Sequence, residues 1–384
     1  MTKPTLIRIT TVPLSLDKLL EGQLAYMNSF YDVIAVSADV TELKAVAKRE
    51  GVESKMIPLT RKITPFKDLW ALWQLYRYLK IQRPAIVHTH TPKAGIVGML
   101  AARMAGVPLR IHTVAGLPLM ETTGAKRKLL NWVEKKTYAC ATNVWPNSIG
   151  LRDFILQEKF TEPAKLEVIA NGSSNGISVD YFDPSLFSEA QNTSLKESIG
   201  IPKNDFAFIF VGRLVGDKGI NELVAAFNNL QKKQANISLV LVGPLETALD
   251  PLDSETILTI KTHPKIFSVG YQKDVRPFFA FAKALVFPSY REGFPNVVLQ
   301  AGAMGLPSIV TDINGCNEII VPKINGSIIP PKDKAALESA MEAILFETED
   351  WTARCRKHIV DKYRREHVWN TMLDRYRKLE QDLL

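Results

Sequence analysis

Three cysteines, Cys140, Cys316 and Cys355, are all that 384 residues contain. Their odd number and wide spacing exclude a disulfide framework and a cysteine-based zinc site. A reducing cytosol suits them best. No apolar stretch approaches the ~20 residues that a membrane-spanning helix needs; the longest runs, Ala207–Gly212 and Ile237–Gly243, are strand-sized. The opening MTKPTLIRITTVPLSL lacks a continuous apolar segment with a small-residue cleavage site, so no signal peptide is expected. No G-x-G-x-x-G follows the first strand candidate, which disfavours a dinucleotide oxidoreductase. Helix-turn-helix, zinc-finger and RNP-type patterns are also missing. No Asp-x-Asp is present to coordinate a diphosphate-bound metal, and no short repeat is visible.

What is present has the composition of a folded globular protein. Hydrophobic residues make up 46% and charged residues 23%, so disorder is not the default. A chain this long exceeds one ordinary core and implies two domains. The net charge of +8 favours anionic partners. Apolar runs alternate with helical patterns throughout. The first series of strand candidates is Leu6–Val12, Asp32–Ala38, Lys55–Pro58, Ala85–His90, Leu109–Val114, Thr142–Pro146 and Leu166–Ala170. The second is Phe206–Val211, Ser238–Val242, Ile266–Val269, Ala284–Phe287, Ser308–Thr311 and Ser327–Ile329. Intervening helices include Lys67–Lys80, Gly95–Ala105, Lys126–Ala139, Ile220–Lys232 and Ala335–Phe346. Doubly buried strands separated by helices predict α/β architecture with two doubly wound parallel sheets. The polar, turn-rich stretch Asp183–Lys203 divides residues 1–185 from 200–355. A basic helix at 356–384 is expected to pack back toward the N-terminal domain.

Ligands of such sheets gather at the carboxyl ends of strands. FVGRLVGDKG, Phe210–Gly219, places Arg213 and Lys218 in one loop between a buried strand and a helix, with Gly212 freeing the turn. Two cations near helix N–H groups suit a diphosphate; alone, they would pass for solvated turn residues. PSYREGFPNVVLQAGAMGLPSIVTD, Pro288–Asp312, supplies the companion. Glu292 sits in a loop where it can accept bonds from sugar hydroxyls, or else simply cap the helix. Gly293, Phe294, Pro295 and Asn296 present backbone amides at a helix start. Gln300 lies eight residues beyond Glu292, on the same face if the stretch between is helical.

Together these motifs resemble the family 4 glycosyltransferases, retaining enzymes of GT-B fold with two Rossmann-like domains facing a cleft. VGYQKDVRPFFAFAKALVFPSYREGFPN extends the likeness through the second half of the chain. The resemblance implies that Arg213 and Lys218 grip the donor diphosphate and that Glu292 contacts the donor sugar. It also implies that Val269, Gly270 and Tyr271 lie near the base, and that Gly22 admits the donor phosphates. No cofactor is implied beyond the nucleotide-sugar substrate, and no metal. Two positions depart from the family pattern. The second glutamate of E-x7-E is Gln300, whose amide weakens or rearranges the ribose contact. In HTVAG, Ala115 replaces a histidine found in many members; His112 stands three residues earlier as a catalytic or core residue.

In IVHTHTPKAG, His88, His90 and Lys93 sit at a strand end. They suit polar lining of an acceptor site, with Lys93 facing a phosphate; loop capping is the alternative, and His-x-His lacks a third metal ligand. Lys126, Arg127, Lys128, Lys135 and Lys136 beside Trp132, with Trp70 and Trp73 earlier, suit an anionic membrane surface, or equally an ordinary amphipathic helix. The family likeness adds a hexose or N-acetylhexosamine donor as UDP-sugar and a polyprenyl-diphosphate-linked acceptor, as in capsule, O-antigen or exopolysaccharide assembly. It implies a cytoplasmic protein peripheral to the inner membrane face. A UDP-sugar 2-epimerase-like or phosphorylase enzyme of the same fold remains open, as does a non-catalytic nucleotide- or nucleic-acid-binding protein.

Overall fold

The computed structural model describes residues 3–248, 250–347 and 349–383. The chain forms two compact units. One runs to Gly176 and takes back the chain from Arg365 onward; the other spans Ile177–Arg364.

In the first unit the strands are β1 (Thr5–Ile9), β2 (Asp32–Ser37), β3 (Glu53–Met56), β4 (Ile86–Thr89), β5 (Leu109–Val114) and β6 (Asn143–Pro146). All pair in parallel, in the order β3-β2-β1-β4-β5-β6. The second unit contains β7 (Phe206–Val211), β8 (Ile237–Val242), β9 (Ile266–Gly270), β10 (Ala284–Phe287), β11 (Ser308–Thr311) and β12 (Gly326–Ile329). Its order, β12-β11-β10-β7-β8-β9, repeats the first when counted from β7. The central strands read as unbroken apolar runs because helices cover both sheet faces: every residue of β8 is buried. In each sheet the order reverses between its first and fourth strands, leaving an open crevice at their carboxyl ends.

Four expectations need correction. Leu166–Ala170 is not a strand; a single bridge, Val144 to Leu166, continues the sheet edge, and Ala170 at φ 51° turns the chain away. The stretch Asp183–Lys203 is not merely turns: it contains helix Glu189–Ile199, started by a capping box between Ser188 and Gln191. The division between units falls earlier than 183–202, because residues 177–183 are tied into the second unit. Ile177 N–H donates to the Tyr363 carbonyl at 2.8 Å. The Arg356 guanidinium donates to the carbonyls of Val179 and Phe182 at 3.0 and 2.7 Å and to Asp183 Oδ2 at 2.7 Å. The end of the chain is likewise two helices, broken at Arg364. Thr352–Tyr363 packs in the second unit and Arg365–Gln381 in the first.

Candidate functional site

The crevice of the second sheet brings two loops together. The loop after β7 ends in Gly219, whose backbone is left-handed at φ 69°, and a Cβ there would sit 2.2 Å from the Pro288 carbonyl oxygen. Only glycine permits that approach. It presses residues 217–219 against the strand end at 288–290, where Tyr290 N–H donates to the Asp217 carbonyl at 2.8 Å. Lys218 is thereby carried to Glu292, and its ammonium donates directly to Glu292 Oε1. Ser289 Oγ donates to the same oxygen at 3.1 Å. Asn314 Nδ2 fixes the loop by donating to the carbonyls of Glu292 and Gly293 at 3.1 and 2.7 Å.

Arg213 leaves the same β7 loop and donates to Glu246 Oε2 at 2.8 Å. This bond raises the guanidinium pKa, with the charges of Glu246, Asp217 and Glu292 adding to it. Arg213, Lys218 and Glu292 therefore share one electrostatic neighbourhood. Sequence reasoning missed three participants: Glu246, Ser289 and Asp217, which holds Arg291 at 2.5 Å. Glu246 lies 33 residues from Arg213 and Asp217 lies 74 from Arg291, so no local pattern announces those pairs; Ser289 stands three residues before Glu292 but also meets Lys218, 71 residues away.

The remaining residues singled out from the second half spread around this centre. Gly212 ends β7, and its N–H donates to the Val242 carbonyl at 2.9 Å. Val269 and Gly270 finish the edge strand β9, and Tyr271 beyond them is 73% exposed. Phe294 is buried against Tyr363, rings 5.7 Å apart. Pro295 caps helix Asn296–Ala303, which carries Gln300. That helix begins four residues after Glu292. Glu292 and Gln300 therefore do not share a helical face; loop geometry places the glutamate.

In the first unit the crevice holds a buried polar network. Arg8, fully buried on β1, donates through Nε to His90 Nε2 at 2.9 Å, through Nη1 to Tyr376 Oη at 3.1 Å, and through Nη2 to Gln23 Oε1. No carboxylate pairs with Arg8 among these contacts. The Tyr376 hydroxyl, accepting from Arg8, also hydrogen-bonds His88 Nδ1. The other ring nitrogen of His88, Nε2, hydrogen-bonds Thr113 Oγ1 at 2.7 Å. His90, accepting at Nε2, carries its proton on Nδ1, and that atom has no hydrogen-bond partner among the described residues. His112 bonds Thr89 Oγ1 at 2.7 Å and packs against Gly95. Lys93 is held by Asp68. Gly22 N–H donates to Glu50 Oε1 at 3.1 Å, and a Cβ on Gly22 would lie 2.9 Å from the Trp369 ring, so close packing accounts for this glycine. Among the described residues no three His, Cys, Asp or Glu side chains gather as a metal site requires.

Burial pushes the His112 imidazole down to about 4. It also lowers His88 and His90 well below the ordinary range, with neighbouring positive charge assisting. These groups bind protons in the unfolded chain near pH 6.5 but not in the folded one. Stability is therefore intact above that value and is lost as the pH falls below it. By pH 5 His112 alone costs about 2 kcal/mol, and the other two act in the same direction. The first unit is expected to melt well below its neutral-pH temperature at pH 5, measured by circular dichroism. An unchanged melting temperature would contradict neutral burial of these rings.

Two parallel sheets of identical order, each with polar residues at its switch point, form the architecture of the GT-B fold. Residues 24–172 match the family model described as Glycosyl transferase 4-like domain, and residues 191–358 that described as Glycosyl transferases group 1. The chain belongs to this glycosyltransferase family. The capsular polysaccharide biosynthesis glycosyltransferase CapM of Staphylococcus aureus is 31% identical to it over 381 residues, 98% of this chain and 97% of CapM. An Escherichia coli UDP-Gal:alpha-D-GlcNAc-diphosphoundecaprenol alpha-1,3-galactosyltransferase is 31% identical over 328 residues, 82% of this chain and 81% of that one. In fold, the crystal structure of HepE from Anabaena, solved with UDP and glucose, superposes with a TM-score of 0.80 at 14% identity, covering 98% of this chain and 100% of HepE. Among the described residues no helix is long and apolar enough to cross a membrane.

Proposed function

We propose that the protein transfers a hexose or N-acetylhexosamine from a UDP-sugar, with retention, to a polyprenyl-diphosphate-linked saccharide during surface polysaccharide assembly. The observation that carries this reading is the convergence of Arg213, Lys218 and Glu292 at the switch point of the second sheet. In the reaction the anomeric carbon–oxygen bond to the diphosphate breaks. The acceptor hydroxyl oxygen bonds that carbon on the same face, and its proton passes to the departing diphosphate. Arg213 and Lys218 stabilise the charge that develops there, and no metal is needed for that purpose. Glu292, released from Lys218 when the diphosphate takes the ammonium, accepts bonds from the sugar hydroxyls. Tyr271, exposed at the end of β9, supplies a face for the base. The relatives' names support a lipid-linked acceptor and a surface-polymer setting.

Incubation with radiolabelled UDP-sugars and an undecaprenyl-diphosphate-linked monosaccharide tests the reading. Labelled lipid-linked disaccharide with unchanged anomeric configuration is expected. No product with any donor, or inverted product, would count against it. Glu292→Ala is expected to impair transfer far more than UDP binding; equal loss of both would assign the residue to the nucleotide.

Glu246 holds Arg213 where the diphosphate is proposed to bind, so the carboxylate competes with the donor. Glu246→Gln is expected to tighten UDP binding up to about fivefold, the worth of an exposed ion pair. Calorimetry showing weaker binding would mean that Glu246 orients Arg213 productively instead.

A further inference from the structure

Helix Pro65–Gln82 has two apolar faces where a surface helix ordinarily has one. Ala71, Leu75 and Leu79 are buried in the first unit's core. The opposite stripe, Phe66, Leu69, Trp70 and Trp73, remains in solvent at 91%, 65%, 54% and 44% exposure, with Ile63 before it at 68%. Their spacing of three, four and seven residues aligns them along one side of the helix. A contiguous exposed apolar patch of this kind marks a contact surface. It is also held in order: the Trp70 and Trp73 rings stack with centroids 5.0 Å apart, and the Arg77 guanidinium lies 4.9 Å from the Trp73 centroid.

The charge around the stripe has one sign. Arg61, Lys62, Lys67, Arg77 and Lys80 are exposed. Asp68, the only carboxylate between Arg61 and Lys80, is held by Lys93. Helix Gly124–Cys140 packs on the same helix, Pro92–Ala105, as Pro65–Gln82 does. It exposes Lys126, Lys128, Lys135 and Lys136 beside Leu129 and Trp132, 47% and 57% exposed. Its Arg127 is not a free surface cation, being bonded to Asn131, the Leu119 carbonyl and Glu158. An aromatic stripe flanked by these cations suits an anionic bilayer, where the rings enter the headgroup boundary and the cations meet phosphates. A second copy of the same face would instead bring like charges together.

We propose that helix Pro65–Gln82 is the membrane-docking element of the first unit. Phe66, Leu69 and Trp70 insert into an anionic lipid surface, and helix Gly124–Cys140 adds charge. This deepens the lipid-linked acceptor reading and rests on it for its biological purpose.

The test is co-sedimentation of the full chain with phosphatidylcholine vesicles with and without phosphatidylglycerol. Binding is expected only with the anionic lipid and is expected to weaken with salt. The triple variant Phe66→Ser/Leu69→Ser/Trp70→Ser should lower the partition coefficient by about 100-fold or more. Lys126→Gln with Lys128→Gln should lower it about fivefold per charge. Unchanged binding of the triple variant, or no binding by the wild type, overturns the proposal. So does a wild-type dimer that the triple variant dissociates, because the stripe is then a self-interface. Transfer to a water-soluble short-chain acceptor reads the chemistry separately. Wild-type rates in the triple variant are expected if docking alone is lost. Vesicle binding without any transfer by the wild type would fail the proposed reaction and leave the docking element standing.

Discussion

Lys218→Ala is expected to lower turnover by about 10²–10³-fold, the usual cost of removing one charge-stabilising donor from a developing oxyanion. The argument rests on position rather than charge alone. The close approach allowed by Gly219 leaves the ammonium little choice of location, beside Ser289 Oγ at 3.4 Å and bonded to Glu292. Arg213→Ala should have a similar effect, and the double variant less than the product of the two, because both cations serve one leaving group. Both side chains sit in loops outside the hydrophobic cluster of the second unit, so melting temperatures should shift by only a few degrees. Near-normal turnover in both single variants would remove them from the reaction.

Ending the chain at Arg364 is expected to prevent the first unit from folding. Helix Arg365–Gln381 buries Val368, Trp369, Met372, Leu373, Tyr376 and Leu379. At about 1.5–3 kcal/mol for each large apolar side chain, and allowing for compact unfolded chains, their loss costs on the order of 10 kcal/mol. That equals the whole stability of a typical domain. The loss is also electrostatic: without the Tyr376 hydroxyl, the buried Arg8 guanidinium and His88 lose shared partners. Limited proteolysis should degrade residues up to 176 while a fragment from about Ile177 to Arg364 survives. A protected first unit in the truncated chain would contradict this account.

Much of the fold was legible because parallel strands covered on both faces must be continuously apolar. The boundaries of β7 and β10 follow their apolar runs to the residue, and those of β5 and β11 also match their strand candidates. Leu166–Ala170 carried the same signature and still formed no strand, since a positive φ at Ala170 is set by the turn that follows, not by hydropathy. The second-unit motif was readable because glycine, lysine and glutamate lie in two short segments whose strand ends are neighbours. Arg8 was not. In TLIRI it looks like the outward residue of an alternating strand, and its burial depends on Tyr376, which lies 368 residues away. Likewise the outward stripe on helix Pro65–Gln82 could not be told from a core stripe by periodicity, because both faces are apolar. Only the packing of Ala71, Leu75 and Leu79 decides which side is free.

Calorimetric titration of UDP and of uridine into the wild type and the Arg213→Ala/Lys218→Ala double variant tests the electrostatic core of the account. The wild type should prefer UDP strongly, and the double variant should lose about 100-fold or more of its UDP affinity while binding uridine as before. Equal UDP affinity in the two proteins would mean that the cations after β7 do not hold the diphosphate.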